Sequence, residues 1–130
     1  MKFLLLLYGD ESQWFDASPE DMQQSTSAYD ALGRELVEAG VLVSGEGLEA
    51  TGTAKTLRVR DGEGSATDGP FAETREQLGG FYVLECKDME EALGWAAKMP
   101  AVTEGSVEVR PVMDYEAYGY QEPGAAERAT

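Results

Sequence analysis

Apolar residues follow distinct spacings along this chain, and these spacings predict its strands. Apolar runs at residues 3–7 and 81–86, the second interrupted only by Glu85, are typical of buried strands. Residues 56–60 and 106–113 instead alternate apolar with polar side chains, which predicts strands with one exposed face. Residues 41–44 begin a further strand, and we expect this strand to form a hairpin-like pair with residues 56–60.

Helical spacing predicts two helices. The first begins after Ser18, a favourable N-cap that is followed by proline and early negative charge, and it runs to about Ala39, where Gly40 provides a stop. The second begins at Asp88 and reaches Met99. The element order is therefore βαββ followed by βαβ. This order suits an α+β fold, with a ferredoxin-like split β-α-β arrangement and an antiparallel sheet.

Two segments show neither the strand-like nor the helical spacing of apolar residues. Residues 10–17 are predicted to form an acidic loop that carries aromatic side chains, and residues 115–130 a C-terminal tail that frays beyond Gln121. Alternatively, the tyrosines of the tail could cover a partner subunit. With 130 residues the chain can build one hydrophobic core but not two ordinary domains. We therefore expect one domain over residues 1–114.

The charge balance narrows the range of partners. Ten basic residues against 25 acidic ones give a formal net charge of −15, which repels phosphate backbones and anionic lipid surfaces. We expect no direct binding of nucleic acid and no membrane association. The apolar run at the start is interrupted by Gly9, Asp10 and Glu11 before a signal-peptide core is complete, so we expect a cytoplasmic protein.

The chain contains no histidine and a single cysteine, which removes several kinds of chemistry. Serine–histidine and cysteine–histidine catalysis, histidine metal ligation and a cysteine zinc cluster are all excluded. Cys86 lies in an apolar run, which favours a buried structural thiol over a nucleophile. Carboxylates, tyrosines and lysines remain for acid–base work. The carboxylates are scattered, so we expect neither a metal nor a cofactor to be required.

Candidate chemistry concentrates between residues 67 and 82. Asp68 opens an Asp-Gly-Pro turn, where it could be an acceptor, a general base or only a turn residue that bonds nearby amides. Elsewhere, Glu108 and Arg110 lie two apart on one strand face, where they could line a cleft or pair with each other. The predicted ligand-binding set is Tyr8, Asp68, Glu73, Arg75, Glu108 and Arg110. No catalytic residue is assigned, and solvation or turn formation is the competing interpretation for each charged member.

Residues 68–82, Asp-Gly-Pro-Phe-Ala-Glu-Thr-Arg-Glu-Gln-Leu-Gly-Gly-Phe-Tyr, resemble the signature of the YCII-related, or DGPF-domain, family. Residues 7–11, 45–48 and 105–111 are also similar to family patterns. The resemblance covers roughly residues 1–114. It implies a small ferredoxin-like α+β domain that dimerises through its sheets as a dimeric α+β barrel, with a cleft between sheet and partner.

Two functions follow as hypotheses. The first is the binding or conversion of a small polar metabolite in a cleft near the Asp68 turn. The second is an interaction or regulatory protein, since the resemblance implies a link to extracytoplasmic-function sigma factors. The histidine–aspartate pair that the resemblance implies for some family members has no counterpart in this chain.

Overall fold

A computed structural model describes residues 1–121 of the chain. Its elements, in chain order, are β1 (Lys2–Gly9), α1 (Glu11–Phe15), α2 (Pro19–Glu38), β2 (Leu42–Gly47), β3 (Lys55–Arg60), β4 (Glu63–Asp68), β5 (Gln77–Glu85), α3 (Met89–Ala96), α4 (Ala101–Glu104) and β6 (Ser106–Pro111). Single 3₁₀ turns lie at Thr51–Thr53 and Tyr115–Tyr118.

Four strands form one antiparallel sheet in the order β2-β5-β1-β6. The first and third of these strands in sequence are central, and α2 and α3 make the two crossovers. This is the predicted ferredoxin-like split β-α-β arrangement, so the α+β fold class is confirmed.

The core lies between the sheet and one face of α2 and α3. Alternate residues of β1, namely Phe3, Leu5 and Leu7, are buried in the core. They lie with Leu32 and Leu36 of α2 and with the two buried alanines of α3, Ala92 and Ala96. Leu4 and Leu6, which alternate with the buried residues of β1, point to the opposite side of the sheet, which we call the open face. By strand register the open face carries Leu4, Leu6, Phe81, Val83, Glu108 and Arg110.

The helix α2 follows the sequence prediction closely. The Ser18 hydroxyl accepts a hydrogen bond from the Asp21 amide at 3.1 Å, and Gly40 takes a positive φ of 72° just after the helix. The second predicted helix is shorter than expected, because α3 ends at Ala96 and a separate helix, α4, follows Pro100. Residues 10–17, predicted as a loop, contain the short helix α1.

The predicted pairing of residues 41–44 with 56–60 is wrong. β2 pairs with β5, while β3 pairs with β4 in a separate two-stranded sheet, the hairpin arm of residues 55–68. β4 was not predicted, because its sequence Glu-Gly-Ser-Ala-Thr-Asp has almost no apolar alternation. The last strand ends at Pro111, two residues earlier than expected.

Candidate functional site

A cavity of about 950 Å³ lies where α1 and the first half of α2 cover one end of the four-stranded sheet. The ends of β1 and β2, the start of β5 and the segment around α4 complete its walls. This is the helix-covered side of the sheet, so the cavity continues from the end of the hydrophobic core.

The cavity floor is open because its strand positions carry no side chains. Strand register places Gly80 and Gly47 beside Leu7, and Gly45 beside Tyr82, all on the helix-covered side. A Cβ on Gly45 would lie only 2.8 Å from the Tyr82 ring. The missing side chain at Gly45 therefore lets the Tyr82 ring lie against β2 and form one wall of the cavity.

The helix α2 forms the roof of the cavity, and the residues along one face of this helix change from large and apolar to small or polar. Spacings of three and four residues align Leu36, Leu32, Ala28, Ser25 and Asp21. The two leucines are buried in the core, whereas Ala28, Ser25 and Asp21 line the cavity. Small and polar side chains replace leucine above a floor of glycines, and the space between the two layers stays unfilled.

A hydrogen-bond network fixes the rim. The Gln77 side-chain oxygen accepts from the Glu11 amide at 3.0 Å, and its side-chain nitrogen donates to the carbonyl oxygens of Thr74 at 2.7 Å and Arg75 at 3.3 Å. The Glu11 carboxylate accepts from the Thr51 amide at 3.0 Å and from its hydroxyl at 2.6 Å. These bonds tie three segments, α1, the loop before β5 and the turn after β2, into one frame.

Asp10 starts α1 at the mouth of the cavity. Its carboxylate accepts hydrogen bonds from the Ser12 amide at 3.0 Å and from the Ser12 hydroxyl at 2.6 Å. These bonds, the hydroxyl's first, lower the pKa of Asp10 below its ordinary value of 3.8. The cap therefore stays ionised at neutral pH.

Two tyrosines line the inner part of the cavity with neutral phenols. Burial raises the pKa of Tyr29 and of Tyr82 above the ordinary value of 10.0, and Glu104 adds to the rise at Tyr29. The Tyr29 hydroxyl oxygen accepts from the Ala101 amide at 3.2 Å, which leaves its proton free to be donated. The cavity thus offers phenol donors, carboxylate acceptors and amide groups to a bound molecule.

Of the six predicted ligand-binding residues, the structure places only Tyr8 at this cavity. The Asp68 carboxylate pairs with the Lys55 ammonium at 2.5 Å on the hairpin arm, and Glu73 and Arg75 lie exposed in the loop after the arm. Glu108 and Arg110 lie on the open face, on the other side of the sheet, where the Arg110 Nε is 3.9 Å from the Glu108 Oε2. The six residues are therefore not brought together, and a common ligand-binding role for them stays a prediction.

Sequence reasoning missed most of the cavity. Trp14, Gln77 and Glu104 line it but were not singled out, and Tyr29 was assigned only to a helix face. One available signal was the change from leucine to alanine, serine and aspartate along that face of α2, since a core-facing helix stripe normally stays apolar.

Other predicted features can be placed directly. Cys86 is buried, as expected, and burial raises the pKa of its thiol, which disfavours the nucleophilic thiolate. Within residues 1–121, no group of three or more acidic or cysteine side chains is arranged to hold a metal ion. None of the helices in that same range is both long and apolar enough to cross a membrane. The predicted fraying beyond Gln121 concerns residues outside the described part of the chain.

Comparison with known proteins identifies relatives of this chain. An uncharacterized protein from Rhizobium meliloti (strain 1021) is 41% identical over 117 residues, which cover 88% of this chain and 94% of that protein. A solved structure, 5-chloro-2-hydroxyhydroquinone dehydrochlorinase (TftG) from Burkholderia phenoliruptrix AC1100 in complex with 2,5-dihydroxybenzoquinone, superposes with a TM-score of 0.46 at 15% identity, covering 90% of this chain and 98% of that one. The model of the YCII-related domain matches residues 1–116, and the chain therefore belongs to the YCII-related family.

Proposed function

We propose that the protein binds, and in its cell converts or senses, a small polar metabolite in the cavity between α2 and the sheet. The observation that carries the proposal is the cavity itself, whose volume of about 950 Å³ is left by glycines in the floor and small residues in the roof. Pockets for small ligands span roughly 300–1,000 Å³ and combine apolar walls with a few polar groups, which is the composition found here.

The rim supports the same proposal. A cavity bounded by flexible segments would close or reshape, whereas here Gln77 and Glu11 tie the three rim segments together. A preformed site loses less conformational entropy when a ligand binds. The proposal moves the cleft away from the charged loop at Glu73 and Arg75 to the adjacent end of the sheet.

The test is a thermal-shift screen of the wild type and three variants against a metabolite panel. Ala28→Phe fills the cavity from the roof, and Thr26→Phe adds the same ring to the same helix at an exposed position that does not line the cavity. Asp68→Asn changes a charge on the hairpin arm, away from the cavity. We expect a stabilising compound whose shift is lost only in Ala28→Phe. A shift that survives Ala28→Phe but is lost in Asp68→Asn would place the ligand elsewhere and refute the proposal.

We further propose that the protein is a homodimer that pairs through the open face. Leu4, Leu6, Phe81 and Val83 form a contiguous apolar row there and are only half-buried. Sheets that leave one face to solvent normally alternate apolar with polar side chains, so this row favours a covered face. Light scattering should give twice the 14.1 kDa chain mass for the wild type and for the hairpin-arm variant Val59→Lys, but the monomer mass for Leu6→Lys. A monomeric wild type would refute the dimer.

A non-catalytic interaction function remains the second candidate, and one observation favours it. The hairpin arm exposes Leu57 and Val59, with 71% and 59% of their surfaces accessible, and Phe71 in the loop after the arm is 77% accessible. A two-stranded sheet alone is marginally stable in water. Capture of a specific protein by the wild type, lost in Leu57→Ser with Val59→Ser, would support this candidate. Retention of the same protein by the double variant would count against it.

A further inference from the structure

The charges around the cavity all have one sign. Five carboxylates line it on the helix-covered side, from Asp10, Glu11, Asp21, Glu49 and Glu104. Among the cavity-lining residues that the structure describes there is no lysine and no arginine. A cleft lined by one sign of charge concentrates ions of the opposite sign, and here the chain's net charge of −15 acts in the same direction.

Most of this charge is not neutralised by the protein. The ion pairs found within residues 1–121 join Met1 to Glu85, Lys55 to Asp68, Lys98 to Glu35 and Arg110 to Glu108, and none of them includes a cavity carboxylate. Asp10 and Glu11 accept hydrogen bonds from neutral donors at the rim. In the same range, the side chains of Asp21, Glu49 and Glu104 make neither ion pairs nor hydrogen bonds, so they are available to a ligand.

Aromatic rings share the cavity with these carboxylates. Tyr8, Trp14, Phe15, Tyr29 and Tyr82 all line it. The face of an aromatic ring attracts a cation, and the attraction grows when water is excluded. Since the Tyr29 and Tyr82 phenols are neutral donors, the site also has hydrogen-bond partners for a neutral polar group on the same ligand.

We infer that the cavity selects a ligand with a positively charged nitrogen, an amine or ammonium compound with an apolar or aromatic body. This inference rests on the proposed function and names its ligand class. The carboxylates supply the counter-charge and the rings contact the ammonium methylenes and the apolar body. A phosphate or carboxylate ligand would instead lose its hydration against carboxylates, with no lysine or arginine on the lining to pair with it.

Three probes of similar shape and different charge show whether the charge of a ligand decides its binding. 2-Phenylethylamine, 2-phenylethanol and 3-phenylpropanoate share a phenyl ring on a short chain and carry a positive, a neutral and a negative end. Each is titrated into ¹⁵N-labelled protein at neutral pH, and dissociation constants are taken from the amide shifts of Gly45, Gly47 and Gly80 in the cavity floor. We expect the amine to bind about tenfold or more tightly than the alcohol, and the carboxylate to bind most weakly. Added salt should weaken the binding of the amine only.

Matched variants locate the charge. Glu49→Gln with Glu104→Gln removes two exposed cavity charges and should weaken the amine about tenfold while leaving the alcohol unchanged. Glu35→Gln removes a carboxylate that pairs with Lys98 outside the cavity and should change neither probe.

The possible results separate the charge preference of the cavity from its proposed function as a ligand-binding site. If the alcohol shifts the floor amides and the amine binds no better, the charge inference is refuted while the proposed ligand site stands. Tighter binding of the carboxylate also refutes the inference. If no probe shifts the floor amides, both the inference and the proposed function are contradicted.

Discussion

Gly105 sits where α4 turns into β6, and replacing it by alanine should destabilise the protein strongly. A Cβ at this position would overlap the Tyr8 carbonyl oxygen and would lie 2.9 Å from the Gly9 Cα and 3.0 Å from the Tyr8 carbonyl carbon. All three obstacles are backbone atoms of β1, so no side chain can rotate to make room. Relief requires the end of β1 and the start of β6 to move apart.

The cost can be built from the bonds at risk. Overpacking of a core site costs about 1–3 kcal/mol. Separation of the strands also strains the hydrogen bond that the Gly105 amide donates to the Ala101 carbonyl oxygen at 2.7 Å, and the pairing of Tyr8 with Ser106. Each of these hydrogen-bonded contacts is worth about 1 kcal/mol. The sum is about 3 kcal/mol or more, which lowers Tm by about 10 °C for a chain of this size.

The matched control is Gly33→Ala. Gly33 lies inside α2, and a Cβ there would meet nothing within 4 Å. Alanine should therefore stabilise the helix by about 1 kcal/mol. Urea unfolding of both variants, followed by circular dichroism, measures the two changes. A Gly105→Ala variant within about 1 kcal/mol of wild type would refute the close approach of β1 and β6.

Three further outcomes are expected. Gly45→Ala should displace the Tyr82 ring and weaken any cavity ligand about tenfold or more, whereas unchanged affinity in a binding titration would show that the ring does not shape the site. Gln77→Met removes the rim bonds of a half-buried amide and should cost about 1–3 kcal/mol while speeding hydrogen exchange in the preceding loop, and unchanged exchange would contradict its tying role. Asp10 has a lowered pKa, so its α1 cap is complete above the ordinary value of 3.8 and is lost as pH falls through the lower folded value. The amide shift of Ser12 should follow that titration in wild type and not in Asp10→Asn, and a pH-independent wild-type shift would contradict it.

Local signals made part of the fold predictable. The cap at Ser18, the stop at Gly40 and the apolar run of β5 each specify their element within a few residues, and the structure confirms them. The pairing of β2 was not predictable in the same way, because proximity in sequence favoured β3 while long-range packing favours β5. β4 has a single apolar residue, Ala66, and forms because the turn at Asp61 and Gly62 brings it back along β3.

The cavity could not be derived from sequence because it depends on register. Gly45, Gly47 and Gly80 are scattered in sequence, and only the pairing of β2, β5 and β1 places them side by side under α2. The charges of residues 68–76 are dense in sequence, yet Asp68 is paired on the hairpin arm and Arg75 faces solvent. A dense run of charges was therefore a poor guide to the place where the fold leaves space.

A crystal structure with the most strongly stabilising compound from the thermal-shift screen tests the central claim most directly. We predict that its electron density lies between α2 and the floor of Gly45, Gly47 and Gly80, within the rim tied by Gln77. Density on the open face or on the hairpin arm, with the cavity empty, would contradict the assignment of this cavity as the functional site.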